Sequence, residues 1–327
     1  MGERVDLEKK KRDMMELWKD TFHDSSRYIQ LVFDAYFNPD NAFTVYEGDK
    51  LIAALLGVEY EFMSNDGVGC SVYRGLYLCG LATHPDYRRQ GIMGKLMEEA
   101  ERSAKARGFA MTFLIPADSH LREYYHRKGY RTTSFKRNQT AKREKKEGQT
   151  KMYIYTFKEF FERKNLEFIS KVAQWCCDRE KPEPHSATIL HSKKDMIAIM
   201  AENENSFFIT DQSFDPEYPI LAKIRAVVFP TAPNEKNDTW GIVGIFLKEK
   251  EECISSDAPM VSLPDEIADV IQETYPDMFL EFKLPYTGRE LRIGVEAIPY
   301  AMTKTLEENE NIIECENPSY EIYLMLD

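Results

Sequence analysis

The sequence predicts an α/β protein of two domains, a mixed sheet with flanking helices followed by a second α/β or α+β domain, and three observations carry that reading. The first is size: 327 residues exceed the length at which one hydrophobic core usually stops growing. The second is alternation, because up to residue 135 apolar runs of period two are interleaved with stretches of period 3.6, the order that builds a sheet with helices packed on it. The third is the polar strip "KRNQTAKREKKEGQTK" (136–151), with seven Lys/Arg against two Glu, which divides the chain. The expected domains are 1–140, a basic linker at 141–151, and 152–327.

Residues 9–37 show helical spacing through Met14, Leu17, Trp18, Phe22, Leu31, Val32 and Tyr36, broken at "HDSS", where Asp24 or Ser25 can cap a second helix. "AFTVYEGDKLIAALLGVEYEF" reads as two strands joined by a turn at Glu47 to Lys50, and "SVYRGLYLCGLAT" supplies further strand, with a division near Gly75 left open. From Gly91 the period lengthens: Ile92, Leu96, Ala100 and Ala104 share one helical face, and Gly108 stands where a C-terminal cap belongs. "FAMTFLIP" is a short apolar strand, "DSHLREYYHRKG" a helix closed by Gly129, and "YRTTSF" another strand. Beyond the basic strip come helical stretches around "FKEFFERKNLEFISKVAQW", "SKKDMIAIMAENEN" and "PDEIADVIQETY". Strand-like runs accompany them at "SFFIT", "AKIRAVVF", "WGIVGIFL", "MFLEFKL" and "SYEIYLML".

Composition narrows the function classes. A formal net charge of -12 disfavours DNA, RNA or anionic lipid as partner and mildly favours cationic ligands. The six cysteines, at 70, 79, 176, 177, 253 and 315, form no C-x-x-C pair and no zinc spacing, which fits a reduced cytoplasm and no metal. No 18-residue apolar run occurs, so neither export nor a membrane span is expected.

The stretch with the sharpest chemistry is "HPDYRRQGIMGKL", His84 to Leu96. A strand ending in His-Pro, a turn, and a helix starting near Gly91 leave several backbone amides at the helix start without internal partners. With the helix dipole behind them, such amides hold a phosphate, and Arg88 and Arg89 can add charge-assisted hydrogen bonds. A P-loop is rejected, since the glycines of "GIMGK" stand too close together and Leu96 replaces the magnesium-binding Ser/Thr. A dinucleotide fold is rejected too, because the turn follows several strands and carries only Gly91 and Gly94.

"LATHPDYRRQGIMGKLM" resembles the acyl-coenzyme A signature of the GNAT superfamily of N-acetyltransferases, Arg/Gln-x-x-Gly-x-Gly/Ala after a strand end. Arg88, Gly91 and Met93 occupy its three defined places, and Met93 departs from the small residue usual there. "FAMTFLIP" followed by "REYYHRKGYRTTSF" resembles the next segment of the superfamily, Phe-Tyr-x-x-x-Gly-Phe. The resemblance covers roughly residues 43–135 and implies a GNAT-type mixed sheet. It also implies that the strand before the turn splays from its neighbour and bonds the pantetheine arm through Leu81 and Thr83. Amides around Arg88, Arg89, Gly91, Ile92 and Met93 would hold the diphosphate, with Ser119 a further contact. Tyr125 matches the tyrosine that protonates the departing sulfur, with Tyr124 its neighbour and competitor.

The implied activity is transfer of an acetyl group from acetyl-CoA to a primary amine of a small cationic molecule or a lysine, by direct attack in a ternary complex. Holding both substrates on one sheet would contribute ~7–11 kcal/mol. The base stays open among His84, His120, Glu59, Glu61 and water. A GNAT domain followed by a further α/β domain, which could be a degenerate copy of the first, resembles the enhanced-intracellular-survival type, in which a C-terminal carboxylate reaches the active site. Here that residue is Asp327. The alternative is a coenzyme A-binding regulatory or interaction module without turnover. The acceptor is a small-molecule amine or lysine, and the oligomeric state, homo-oligomer included, is left open.

Overall fold

The computed structural model describes residues 7–140, 152–182, 186–203, 205–211, 221–230, 240–247, 265–275, 278–285, 298–306 and 319–321. In chain order the elements begin with α1 (Leu7–Phe22), α2 (Ser26–Tyr36), β1 (Ala42–Glu47), β2 (Lys50–Asn65), β3 (Cys70–Thr83), α3 (Ile92–Ala106), β4 (Met111–Leu114), α4 (Ser119–Arg127), β5 (Arg131–Thr132) and β6 (Phe135–Thr140). They continue with β7 (Tyr153–Thr156), α5 (Phe157–Glu162), α6 (Leu166–Cys177), β8 (Ser186–Leu190), α7 (Lys193–Glu202), β9 (Phe207–Thr210), β10 (Ile224–Pro230) and β11 (Trp240–Leu247). The last are α8 (Asp265–Thr274), β12 (Met278–Pro285), β13 (Ile298–Pro299), β14 (Met302–Thr305) and β15 (Ser319–Glu321). Two compact units result, neither of them contiguous. The first takes Met1–Ser134, Pro182–Leu190 and Tyr300–Tyr320, and the second Phe135–Lys181, His191–Pro299 and Glu321–Asp327.

The sheet of the first unit runs β15-β8-β2-β3-β4-β14-β5, with β1 also on β2. Its long β2–β3 hairpin turns at Asn65–Gly69, where Asp66 Oδ1 accepts from the amides of Val68 and Gly69 at 2.8 and 2.7 Å, a side-chain turn that fixes the register of both strands. Leu55, Leu76 and Leu78 of the sheet pack with Leu96, Met97, Ala100 and Ala104 of α3 and with Tyr125 of α4 in one core cluster. A buried Leu or Met of this kind is worth about 1.5–3 kcal/mol. Ser25, rather than Asp24, caps α2 by accepting from the Tyr28 amide at 3.1 Å, and Asp24 instead accepts from the Trp18 indole at 2.7 Å.

The predicted strand "YRTTSF" is split: Arg131–Thr132 stays in this sheet, while Phe135–Thr140 belongs to the second unit. Lys136–Thr140, the start of the basic strip, is thus paired strand, and 141–151 lies outside the described residues. Between β4 and β5, the place that chain order would give to β6, stands β14, antiparallel to both.

The sheet of the second unit runs β13-β6-β12-β11-β10-β9-β7. Phe157, Phe160, Phe168, Ile169, Phe208 and Phe229 make its main core with α6 and α7. Ser192 and Asp195 form a reciprocal capping box on α7. Cys176 is buried, which pushes its thiol up, and burial together with Glu180 pushes Cys177 up to about 12.

Stripped to their shared elements, the two sheets have the same plan. In the first, β1–β2 and β2–β3 are antiparallel, β3–β4 is parallel across α3, and β4–β14 and β14–β5 are antiparallel. In the second, β9–β10 and β10–β11 are antiparallel, β11–β12 is parallel, with α8 between them in the chain, and β12–β6 and β6–β13 are antiparallel. Each unit therefore fills its penultimate strand position with a segment from a remote part of the chain. Among the described residues, no helix is long and apolar enough to cross a membrane.

Candidate functional site

Strand β3 is paired unequally on its two sides. Against β2 it is bonded along most of its length, from Cys70 opposite Asn65 to Thr83 opposite Ala53. Against β4 it is paired only at Gly75, Leu76 and Tyr77. Beyond Tyr77 the two parallel strands part, and among the described residues no strand lies on that side of Leu78 to Thr83. A bulge accompanies the parting: the register with β2 shifts between Ala54 and Leu56, so Gly80 and Leu81 oppose Leu55 alone. Backbone groups turned to such an opening can pair with an extended amide-bearing ligand, as another strand would.

At the end of β3 the chain makes a short 3-10 turn, Pro85–Tyr87, pinned from two directions. The Asp86 amide donates to His84 Nδ1 at 3.3 Å, and the Tyr87 hydroxyl donates to Glu47 of the β1–β2 hairpin while Lys50 sits 5.5 Å from its ring centre. Arg89 and Gly91 then take positive φ, 63° and 77°. Gly91 is the N-cap of α3 and has no side chain to cap with, so the amides of Ile92, Met93 and Gly94 are left for an outside acceptor. Arg88 and Arg89 are exposed, and Arg88 Nε donates to the Thr83 carbonyl at 3.0 Å.

Met93, bulky where the signature wants a small residue, is partly buried against the core cluster, so its side chain has a place in the core while its amide stays in the first turn. The glycine one residue later has a packing reason that the motif did not reveal. A Cβ on Gly94 would stand 2.6 Å from Lys128 Nζ and 3.5 Å from the Tyr124 hydroxyl, so α4 lays two side chains directly on the start of α3.

Tyr125 is 7% exposed, on the buried face of α4. Burial, with smaller contributions from Tyr124 and Asp118, pushes its phenol up to about 12, so it holds its proton throughout the physiological range. Among the described residues its hydroxyl has no hydrogen-bond partner. The structure brings Tyr125, Tyr124, Leu81, Ile92 and Met93 together at one core cluster. Ser119 is the exposed first residue of α4, capped by Asp118. Asp327 lies outside the described residues.

The acid–base candidates separate clearly. Glu59 is committed elsewhere: although burial would raise its pKa, hydrogen bonds from Asn41, Arg74 and Arg107, with the charge of Arg107, hold it below the usual carboxylate range. A base that accepts three donors has little affinity left for a proton, so Glu59 is structural. His84 Nδ1 is taken by the Asp86 amide. Glu61 lies in β2 between Arg74 and Leu190, and His120 is exposed on the first turn of α4. Among the described residues no group of three or more His, Cys, Asp or Glu side chains is placed to hold a metal ion.

Residues 6–133 match the family model of an acetyltransferase (GNAT) domain. The chain also resembles solved structures over nearly its whole length. One is a protein from Enterococcus faecalis V583 described as a probable N-acyltransferase, with 14% identity over 91% of this chain and 70% of that one, TM-score 0.61. Another is Eis1 from Mycobacterium abscessus, with 10% identity over 90% and 71%, TM-score 0.57. A third is a GCN5-related N-acetyltransferase from Anabaena variabilis, with 10% identity over 90% and 70%, TM-score 0.56. No curated protein matches the sequence. The parted strands and the uncapped amides fall inside the matched segment, so the features read from the turn are those of the stretch that matches an acetyltransferase (GNAT) domain.

Proposed function

We propose that the protein is an N-acetyltransferase that moves an acetyl group from acetyl-CoA to a primary amine of a small cationic molecule or a lysine side chain. The observation that carries this reading is the parting of β3 from β4 after Tyr77, on a strand that leads straight to the uncapped start of α3. One feature suits an extended pantetheine arm and the other its diphosphate. In this reading Leu81 and Thr83 bond the arm through their backbone, and the amides around Arg88, Arg89, Gly91, Ile92 and Met93, with Ser119 nearby, hold the diphosphate. Acetyl-CoA as cosubstrate supplies the activated acyl group and a thiolate leaving group.

Tyr125 then donates its proton to the departing sulfur. A phenol at about 12 is a weaker acid than a free thiol at ~8.5, so the transfer is uphill even to the full thiolate and is feasible only with the hydroxyl and the sulfur hydrogen-bonded. The amine must arrive neutral or lose its proton to water, Glu61 or His120. The net charge of -12 supports a cationic acceptor, and Asp327 is retained as the carboxylate proposed to reach the site. The protein is proposed to work in the cytoplasm.

Two measurements test the reading. Calorimetry with the full chain should show binding of acetyl-CoA and CoA, and thiol release from acetyl-CoA should depend on an added amine drawn from polyamines, aminoglycosides and lysine peptides. Binding without release on any amine or other thioester would favour a coenzyme A-binding module without turnover, for which the lack of an evident base among the described residues speaks. Absence of binding would remove both readings.

A further inference from the structure

The bulge in β3 has a wall behind it. Leu76, Leu78 and Leu55 lie in the core cluster under α3, and Leu81 packs against the same cluster, so the extra residue resets the alternation and leaves Gly80 toward the other face. Trp18 of α1 occupies that face. A Cβ built on Gly80 would stand 2.3 Å from Trp18 Cζ3, 2.5 Å from Cε3 and 3.1 Å from Cη2. Gly80 has φ +58°, a conformation that other residues adopt at a cost, so both backbone and space at this position belong to glycine.

The indole is itself held in place. It is 8% exposed, its Nε1–H donates to Asp24 Oδ2 at 2.7 Å, and it meets Phe22 and Phe33 edge-on at 5.6 and 5.7 Å between ring centres. Asp24 stands in the short α1–α2 connection next to His23, whose φ is 61°. A bulge can slide along a strand unless something fixes which residue is extra, and each residue that it passes turns to the opposite face.

Resting on the acetyl-CoA reading, we propose that Trp18, pinned by Asp24, is a positioning residue for the cosubstrate. It fixes the bulge at Gly80–Leu81 and so sets which backbone groups between Leu81 and Thr83 face the opening beside β4. The indole is buried against Gly80, Phe22 and Phe33, and its effect on the ligand passes through the register of β3. The turn before α3 has anchors of its own, the Asp86 amide on His84 and Tyr87 on Glu47, besides the bond from Arg88 to Thr83, so the diphosphate amides should feel a change of register less than Leu81 to Thr83 do.

The separation gives the experiment. Full-length wild type, Trp18→Ala, Trp18→Phe, Asp24→Ala and Asp24→Asn are titrated by calorimetry with CoA and with adenosine 3′,5′-bisphosphate, which lacks the pantetheine arm. Trp18→Ala should weaken CoA at least about tenfold, the worth of one strong hydrogen bond, and leave the bisphosphate within about twofold. Trp18→Phe, and Asp24→Asn with its retained acceptor oxygen, should keep most of the CoA affinity. In turnover, KM for acetyl-CoA should rise more than kcat falls.

Folded Trp18→Ala that binds CoA as wild type does, or that loses both ligands equally, overturns the inference. Should Trp18→Ala fail to fold, Asp24→Ala decides by the same comparison, since it frees the indole without opening the core. Wild type that binds neither ligand overturns the acetyl-CoA reading itself, a different result from a variant that fails to separate them.

Discussion

Thr133 and Thr303 share a hydrogen bond of 3.2 Å between their hydroxyls although 170 residues separate them in the chain. The bond fastens β14 beside β5, and one residue on Lys304 reaches Glu101 of α3 at 2.6 Å. Glu101 also accepts from Tyr130, whose hydroxyl lies 2.9 Å from Thr112. The strand is therefore bonded into the first sheet on both edges and locked by a partly buried polar network.

A fragment ending at residue 140 should consequently not fold on its own. It lacks β14, leaves one edge of β4 bare and deprives β5 of its partner. Circular dichroism melting should show no cooperative transition. A fragment that melts within a few degrees of the full chain would contradict the assignment of β14 to this unit.

Tyr125→Phe should lower kcat by roughly 10²–10³-fold while KM for acetyl-CoA holds, because a general acid acts on the leaving group and not on ground-state binding. Among the described residues its hydroxyl has no hydrogen-bond partner to lose, so the melting temperature should stay put. Tyr124→Phe should retain most of the activity. Reversal of the two effects would move the acid role to Tyr124.

The phenol of Tyr125 is raised to about 12 by burial, then by Tyr124 and Asp118, and it should impose no alkaline fall on kcat below pH ~10. The rate should climb with pH as the acceptor amine loses its proton. Stability follows the opposite trend: the raised phenol contributes fully below pH ~10, where the unfolded tyrosine is neutral, and its contribution is lost between about 10 and 12. Tyr130, buried beside Glu101, adds loss of the same sign. Denaturant midpoints that stay level from pH 9 to 11 would refute this.

Glu59→Gln should destabilise the protein by ~1–2 kcal/mol, since Arg74 and Arg107 would lose their common charged partner at a half-exposed site. The wild-type carboxylate sits below its ordinary pKa, so its contribution is present above the unfolded value and is lost as the pH falls through the carboxylate range. Urea midpoints of the two proteins should converge toward acid. A large loss of turnover with unchanged stability would return Glu59 to the list of bases.

Gly91→Ala should weaken CoA by roughly tenfold or less, through the ~1–2 kcal/mol cost of a left-handed conformation for a residue with a Cβ. Its surroundings are open, with nothing within 4 Å of the added atom, so the change acts on the backbone and not through a clash. Calorimetry with CoA reads the effect directly, and equal affinity would show that the turn does not need this φ.

The helices and most strands were legible because their signals are local. Ile92, Leu96, Ala100 and Ala104 repeat at helical spacing, Gly108 and Gly129 stop α3 and α4 with positive φ, and the turn before α3 has a recognisable string of residues. The candidate site residues could be proposed from sequence for the same reason, since the turn and Tyr125 sit in short motifs. What escaped depends on partners distant in sequence. "SATIL", "YIYT" and "MTKT" are too short to be read as strands until β2, β9 and β4 lie beside them. "FKRNQT" looks like the start of a linker because its strand character comes from β12 and β13. Gly80 is one more glycine of "SVYRGLYLCGLAT" until Trp18 lies against it and shows why the bulge falls there.

The placement of β14 also sets a timetable for biosynthesis. The ribosome releases Met111–Leu114 nearly two hundred residues before Met302–Thr305, so on the nascent chain an apolar strand waits with one side uncovered until that distant segment is made. Domain-by-domain maturation is closed to this protein. The sheet of the first unit is complete only once Met302–Thr305 has emerged to pair with β4 and β5.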